Sequence, residues 1–357
     1  MKGMYIIDDK SFYQPGANMV RKQKITLRDV AEMADVSPAA AGNVINGGTG
    51  KIRVGAEARK RILEAAKQLN YQPNMAASIL RGGQSKLIGV FIDSFASYRT
   101  LRLLQEIERV CAESGYRLIT SVSHDNIANM KEDYLMLQRY GVSGFICCAH
   151  DYPDLKDQVS DLFSGAKNVV FMEKPCVPDM PYVRTSRLKA LTEMIGDALR
   201  QGYRRFGTMH RFRGAISEQA LREDFMQALR ANGLTPEEDL IFEYPQNLPD
   251  DPKVRLRLAV DKMILPFRPD FLFIDDAVST VTLRHMLAQA GTEIAIHGGN
   301  GDPLFADIDV PSLDPGYEKT AAELLNLLLN PEYRNERPLI EAKYKTATHN
   351  HRRTSHE

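Results

Sequence analysis

Residues 25–48, ITLRDVAEMADVSPAAAGNVINGG, decide how the rest of the chain is read. Thr26 is a good helix N-cap, and Asp29 stands in the first turn, where the helix dipole favours an acid. Leu27, Val30, Ala31 and Ala34 then recur at helical spacing. Asp35 and Val36 make a short connection, Ser37 caps a second helix, and Pro38 takes its first position, where a missing N–H costs nothing. This helix reaches Val44 and stops at Asn46-Gly47-Gly48, a turn signal. Two short helices so closely joined form the helix-turn-helix pattern. Residues 56–69, AEARKRILEAAKQL, add a third amphipathic helix with Ala58, Ile62, Ala65, Ala66 and Leu69 on one face, so three helices share one apolar core.

Upstream, residues 1–24 are aperiodic and broken by Pro15-Gly16, which reads as a flexible extension. Downstream, residues 70–83, NYQPNMAASILRGG, hold a segment after Pro73 too short to be a stable isolated helix. If helical, it orders only against a partner, as a hinge over residues 72–86. Across the whole chain 46 Lys and Arg balance 46 Asp and Glu, yet residues 21–86 carry twelve basic against five acidic side chains. A basic arm of net +7 on a body of net −7 points to nucleic acid as the partner of the arm.

From Leu87 the pattern changes to apolar strands alternating with helices. Strands are expected at 87–92 (LIGVFI), 116–123, 144–149, 168–173, 204–209, 240–244, 271–275 and 293–299. Helices are expected at 101–115, 127–140, 154–163, 187–201, 217–232, 251–265, 278–290 and 315–329. Such alternation implies parallel sheets covered on both faces, and there are too many units for one sheet. The chain is therefore multi-domain: an all-α head (25–71), a hinge (72–86), an α/β core of two lobes (87–345) and a tail (346–357). The first lobe is placed at about 87–184 and 312–330, the second at about 187–308.

At 357 residues there is length for two or three folded units. No apolar run approaches the roughly 20 residues that span a bilayer. Cys111, Cys147, Cys148 and Cys176 lack metal-ligand spacing and suit a reduced, cytoplasmic compartment. Cys147, Cys148 and His150 do not make a nucleophile and base, nor Asp275-Asp276 an acid pair, because neighbours in a strand point to opposite faces. His349, His351 and His356 lie in a polar tail. No catalysis, cofactor or metal is expected.

Five elements together, TLRDVAEMADVS, the VING after the second helix, the basic third helix, A-x-x-L-R-x-G at Ala77 to Gly83, and the following KLIGVFI, resemble the lactose-repressor/galactose-repressor (LacI/GalR) family of bacterial transcription regulators. The resemblance is close over residues 25–92 and continues as a pattern to about 330. It implies a periplasmic-binding-protein-like core, a homodimer (with a tetramer as the larger alternative), a pseudo-palindromic operator and a small-molecule effector between the lobes. The helix from Ser37 would enter the major groove and read bases through Pro38, Ala39, Gly42 and Asn43, while Thr26, Asn46, Lys51, Arg53 and Tyr71 would touch the backbone. Asn74 and Ala77 belong to the hinge, whose Leu80 would wedge between base pairs in the minor groove. Where the family usually carries arginine before Val-Leu-Asn, this chain has Asn43, suited to adenine, or simply a helix-terminating residue.

In the core, Asp276 matches a ligand-facing aspartate, with a helix N-cap as its alternative, and Asn300 stands where an effector-contacting aspartate is common. Ser97-Tyr98-Arg99-Thr100 replaces Asn-Pro-Phe-Phe, Thr185-Ser186 replaces Asp-Asn, and Leu221 takes an arginine position with Arg222 adjacent. Tyr98, Arg99, Arg184, Thr185, Arg222, Asp276 and Asn300 are the candidate effector residues. Arg99, Arg184, Arg187, Arg211 and Arg213 fall in expected loops near the cleft and would suit an acidic or phosphorylated sugar, although loop arginines are ordinarily solvated. The expected function is a repressor under effector control. The alternative is a solute-binding protein or enzyme that retains this core with a head of low specificity.

Overall fold

The computed structural model describes residues 25–45, 53–72, 85–92, 98–122, 126–210, 216–245 and 251–346. They fall into two compact units, a head ending at Gln84 and a core starting at Ser85. The hinge expected around Leu80 and the histidine tail lie outside the described residues.

In the head, α1 (Leu27–Met33) opens with a reciprocal capping box. Asp29 N–H donates to the Thr26 hydroxyl at 3.4 Å, and its carboxylate accepts from Thr26 N–H at 2.6 Å. The Thr26 backbone bond, then its hydroxyl, hold the Asp29 carboxyl below its ordinary pKa. Asp35 makes the turn in the left-handed region at φ 50°, a conformation Asp tolerates. Ser37 then accepts from Ala40 N–H at 3.2 Å to start α2 (Pro38–Ile45). Helix α3 (Ala56–Gln68) closes the trio, and Val30, Ala31, Ala34, Ala41, Val44, Ile62 and Ala65 are buried between them.

The core holds two six-stranded sheets. The first has the order β11-β5-β4-β3-β1-β2 and comprises β1 (Leu87–Ile92), β2 (Arg117–Val122), β3 (Gly144–Cys147), β4 (Val169–Met172), β5 (Tyr182–Ser186) and β11 (Leu339–Glu341). All its pairings are parallel. Alternation along β1 sends Ile88, Val90 and Ile92 to one face, under α4 (Tyr98–Glu113) and α12 (Tyr317–Leu329). Phe91 faces the other way with Phe145 and Phe171, under α5 (Ile127–Arg139) and α6 (Lys156–Phe163).

The second sheet has the order β12-β10-β9-β8-β6-β7, from β6 (Phe206–His210), β7 (Ile241–Glu243), β8 (Phe271–Ile274), β9 (Ala295–Gly298), β10 (Ser312–Asp314) and β12 (Lys343–Lys345). Its helices include α7 (Leu188–Arg200), α8 (Ile216–Ala231), α9 (Pro252–Ala259), α10 (Ala277–Gln289) and the short α11 (Pro303–Asp307). Beyond α9 the helix widens into a π turn over Val260–Ile264 before Leu265–Phe267. Pro266 offers no N–H to the carbonyl four residues back, which accounts for the local loosening.

The chain crosses between sheets three times, after Ser186, after Asp314 and at Ala342. The expected lobe limits change accordingly. Ser312–Asp314, assigned to the first lobe, pairs into the second sheet, and the strands at 339–341 and 343–345 extend one sheet each. These edge strands are three residues long and mixed in character, too short to show a period.

Phe145 is fully buried, stacked on Phe91 at 5.7 Å and tilted against Tyr134 at 4.8 Å between centroids. Phe145→Ala should cost the core about 3–5 kcal/mol, seen as a lower urea midpoint with an unchanged slope.

Candidate functional site

Two surfaces stand out, one in each unit. On the head, Thr26, Ser37, Pro38, Ala39 and Arg53 are exposed, and Asn43 and Tyr71 are half-buried. Gly42 departs from expectation. It is buried, and an added Cβ would lie 3.2 Å from Leu27 Cδ2, so it serves the packing of α2 on α1 and cannot meet a base. Tyr71 packs on the head core. Asn46, Lys51, Asn74, Ala77 and Leu80 lie outside the described residues.

In the core, a cavity of about 110 Å³ opens where the carboxyl ends of the first sheet meet elements of the second lobe. His150, Asp151 and Tyr152 follow β3, Met172 ends β4 with Glu173 just after it, and Thr185 lies near the end of β5 with Arg187 just after it. Arg99, Thr100 and Leu103 come from the first turns of α4. Ser217 arrives from α8 of the second lobe, and Pro315 and Tyr317 from the second crossing.

Polar bonds tie the two lobes together at this cavity. Asp151 Oδ1 accepts from Ile216 N–H at 2.8 Å, and its Oδ2 accepts from Ser217 N–H at 2.9 Å and Ser217 Oγ at 2.7 Å. A first-lobe carboxylate thus caps a second-lobe helix, where both the orphan N–H groups and the dipole favour it. Tyr317 donates to the Asn300 carbonyl at 2.7 Å. Within the second lobe, Arg187 N–H donates to Asp224 Oδ2 at 2.8 Å.

The charges here are desolvated. Burial works against the Arg99 charge, but Asp275, Glu218, Tyr317 and Glu173 more than offset it, and its pKa rises. Burial raises the Glu173 carboxyl, opposed by Arg187 and then Arg99. Its Oε1 accepts from Thr185 N–H at 3.3 Å. Glu173 also sits at φ 66°, a left-handed conformation that a non-glycine side chain holds only under constraint. Burial raises Tyr317 and, with Asp302, Tyr98.

Of the expected effector residues, Arg99 and Thr185 line the cavity, while Tyr98 stands beside it at the start of α4. Arg184 does not line it. It precedes Thr185 on the strand, so it points to the other side and is exposed. Arg222 is engaged elsewhere, by Glu238 at 2.6 Å and Glu243 at 3.2 Å. Asp276 caps α10, accepting from Ser279 N–H at 2.7 Å, and is exposed. Its neighbour Asp275 turns inward with a buried Oδ1 that has no hydrogen-bond partner. Gly299 leaves that carboxylate its room, since any Cβ there would strike Asp275 and the Phe273 ring. Asn300 is buried, and its Oδ1 accepts from Asp302 N–H at 3.1 Å. Arg211 and Arg213 lie outside the described residues. Asp151, Glu173 and Tyr317 went unread in the sequence. Glu173 ends the strand expected at 168–173 and Asp151 lies two residues beyond that expected at 144–149, and that position was the available signal.

Residues 26–74 match the family of bacterial regulatory proteins described as the lacI family. The sucrose operon repressor of Klebsiella pneumoniae is 30% identical over 181 residues, 49% of this chain and 52% of that one. The HTH-type transcriptional repressor PurR of Proteus mirabilis is 32% identical over 145 residues, 40% of each. The chain spans about half the length of the curated relatives it matches. Among solved structures, the lac repressor dimer bound to operator and the anti-inducer ONPF matches with a TM-score of 0.73 at 18% identity, over 91% of this chain and 98% of that one. A complex of the transcriptional regulator CelR with cellobiose matches at 0.62 and 18%, over 90% and 98%. These likenesses show the fold: a helix-turn-helix head on a two-lobed, periplasmic-binding-protein-like core.

His210 and His297 are buried, and burial depresses each to about 4, with Asp275 pulling back on His210 and Asp197 on His297. Between about 4 and 6.5 the unfolded chain therefore binds more protons than the folded one. The core should be at full stability above about pH 6.5 and lose up to ~1.4 kcal/mol per pH unit per histidine as pH falls towards 4. Urea midpoints at several pH values measure this, and His210→Gln with His297→Gln should flatten the slope.

Proposed function

We propose, starting from a head that belongs to the lacI family of bacterial regulatory proteins, that this chain is a sequence-specific DNA-binding repressor. It works as a homodimer on a pseudo-palindromic operator in the cytoplasm, without catalysis. A sugar or sugar derivative held between the lobes of the core sets its affinity for DNA. The observation that carries this reading is the joining, on one chain, of a basic helix-turn-helix head to a core whose cleft is lined by charged groups and bonded from both lobes.

The head supplies affinity through its lysines and arginines, by release of counterions from the phosphates. Specificity rests on a sparse surface. Ser37, Pro38 and Ala39 are exposed on α2, and no arginine on that helix offers guanine its bidentate donor. Asn43 then carries the base reading, to adenine, with Leu80 and DNA shape as its complements. A ligand that touches both lobes adds to the Asp151 to Ser217 and Tyr317 to Asn300 bonds and biases one lobe orientation. Such a coupling is typically about 1–3 kcal/mol. The rival reading, a solute-binding protein or enzyme with an unspecific head, has no observation in its favour beyond the reduced α2 surface.

A salt-titrated mobility-shift assay on the gene's own upstream DNA tests the proposal. Binding should exceed that to random DNA by a factor of about 10³ or more, and equal binding to both sinks it. Asn43→Ala should erase the preference for adenine at one operator position, and Leu80→Ala should weaken operator binding more than random-DNA binding. Equal losses count against the wedge.

A further inference from the structure

Asp151 lines the cavity, yet its carboxylate is already satisfied by the protein. It accepts from Ile216 N–H at 2.8 Å, Ser217 N–H at 2.9 Å and Ser217 Oγ at 2.7 Å, and these are the first two residues of α8. A carboxylate that holds three donors at the positive end of a helix has little left to give a ligand. Its partners belong to the other lobe, so it acts on how the lobes sit rather than on what enters between them.

The place of these bonds in the two sheets sets their leverage. In the first sheet the chain crosses to the other lobe from β5 and β11, neighbours at one edge, and β3 lies two strands further in. In the second sheet β10 and β12 carry the crossings, again at one edge. Helix α7, entered by the first crossing, is tied to that edge by Tyr344, whose hydroxyl donates to Asp197 at 3.3 Å. Strand β6, which precedes α8, lies three strands from β10. At about 4.8 Å per strand, the Asp151 bonds stand about 10–14 Å from the crossings. A lobe rotation of about 10° around the crossings moves that point by about 2 Å, beyond hydrogen-bonding reach. The other interlobe bond, Tyr317 to the Asn300 carbonyl, joins residues that follow β10 and β9, beside the second crossing, and the same rotation moves it no more than half as far.

We propose that Asp151 is a positioning residue, a latch that holds the lobes together at a point away from the chain crossings and so gates access to the cavity. Opening breaks its three bonds together and leaves two N–H groups of α8 without their acceptor. The chain carries its own reporter of that motion. Cys148 lines the cavity at the end of β3, whereas Cys111 and Cys147 are fully buried in the packing of the first lobe, and none of the three is in a disulfide. A thiol reagent therefore reaches Cys148 when the lobes part, but Cys111 and Cys147 only when the first lobe itself loosens. The further step, from lobe opening to DNA affinity, rests on the reading of the chain as a repressor.

Alkylation of the full chain by iodoacetamide, followed thiol by thiol with mass spectrometry, tests the latch. Asp151→Asn keeps the size of the side chain but turns a donor towards the donors of α8. It should speed the labelling of Cys148 about tenfold while Cys111 and Cys147 keep their wild-type rates. Ser217→Ala, which removes one of the three bonds and leaves both N–H groups, should give a smaller rise at Cys148 alone, and it carries the test if Asp151→Asn does not fold. An unchanged Cys148 rate in the variants that fold overturns the latch. So does a rise shared by all three thiols, which reduces Asp151 to a cap for local stability. Operator binding in the mobility-shift assay, run on the same variants, separates the two readings. A shifted operator affinity with unchanged random-DNA binding extends the latch to DNA, while no shift beside a faster Cys148 overturns that step and leaves the latch standing.

Discussion

A parallel sheet covered by helices on both faces has only its strand ends left for chemistry. That constraint organises the core of this protein. Ile88, Val90 and Ile92 are consumed by one helical layer and Phe91, Phe145 and Phe171 by the other. The residues that follow β3, β4 and β5 are then the first that packing does not claim. His150, Asp151, Glu173, Thr185 and Arg187 all stand there, opposite Ser217 from the second lobe. Because the chain crosses between the lobes three times, those ends face one another across a narrow gap, and charges placed in it are desolvated.

Desolvation makes small polar arrangements matter. A carboxylate in water would gain little from a helix start, but Asp151 binds three donors of α8 at the cavity and, with the Tyr317 to Asn300 bond, adds to the chain crossings that join the lobes. The same low polarity makes the unpaired Nε of Arg187 and the strained backbone of Glu173 informative, since neither would persist without surrounding structure to hold it.

The head solves a different problem, that of building a core from three short helices. Alanines at 31, 34, 41 and 65 let the three helices approach closely, and Gly42 continues this by nestling against Leu27. The cost falls on recognition, because a position expected to read bases is spent on packing. A family model matches residues 26–74, the segment that these caps and close contacts shape. Close packing and caps restrict which residues serve in a small head, whereas a large core keeps its shape under many apolar exchanges.

Local chemistry was legible in the chain itself. The caps at Thr26 and Ser37, the period of each helix and the apolar runs of the central strands depend on neighbours in sequence, and the architecture of head and two-lobed core follows from them. The three-residue strands at 312–314, 339–341 and 343–345 were not, since three residues carry no period. Nor was the choice between adjacent residues. Arg184 and Thr185, or Asp275 and Asp276, differ in role only through which face of a strand or end of a helix each occupies. Sequence by itself determined the elements and their order, because hydrophobic period and capping are local. Only the tertiary structure decided which charges share the cleft, because that depends on distant strand ends being brought together and shielded from water.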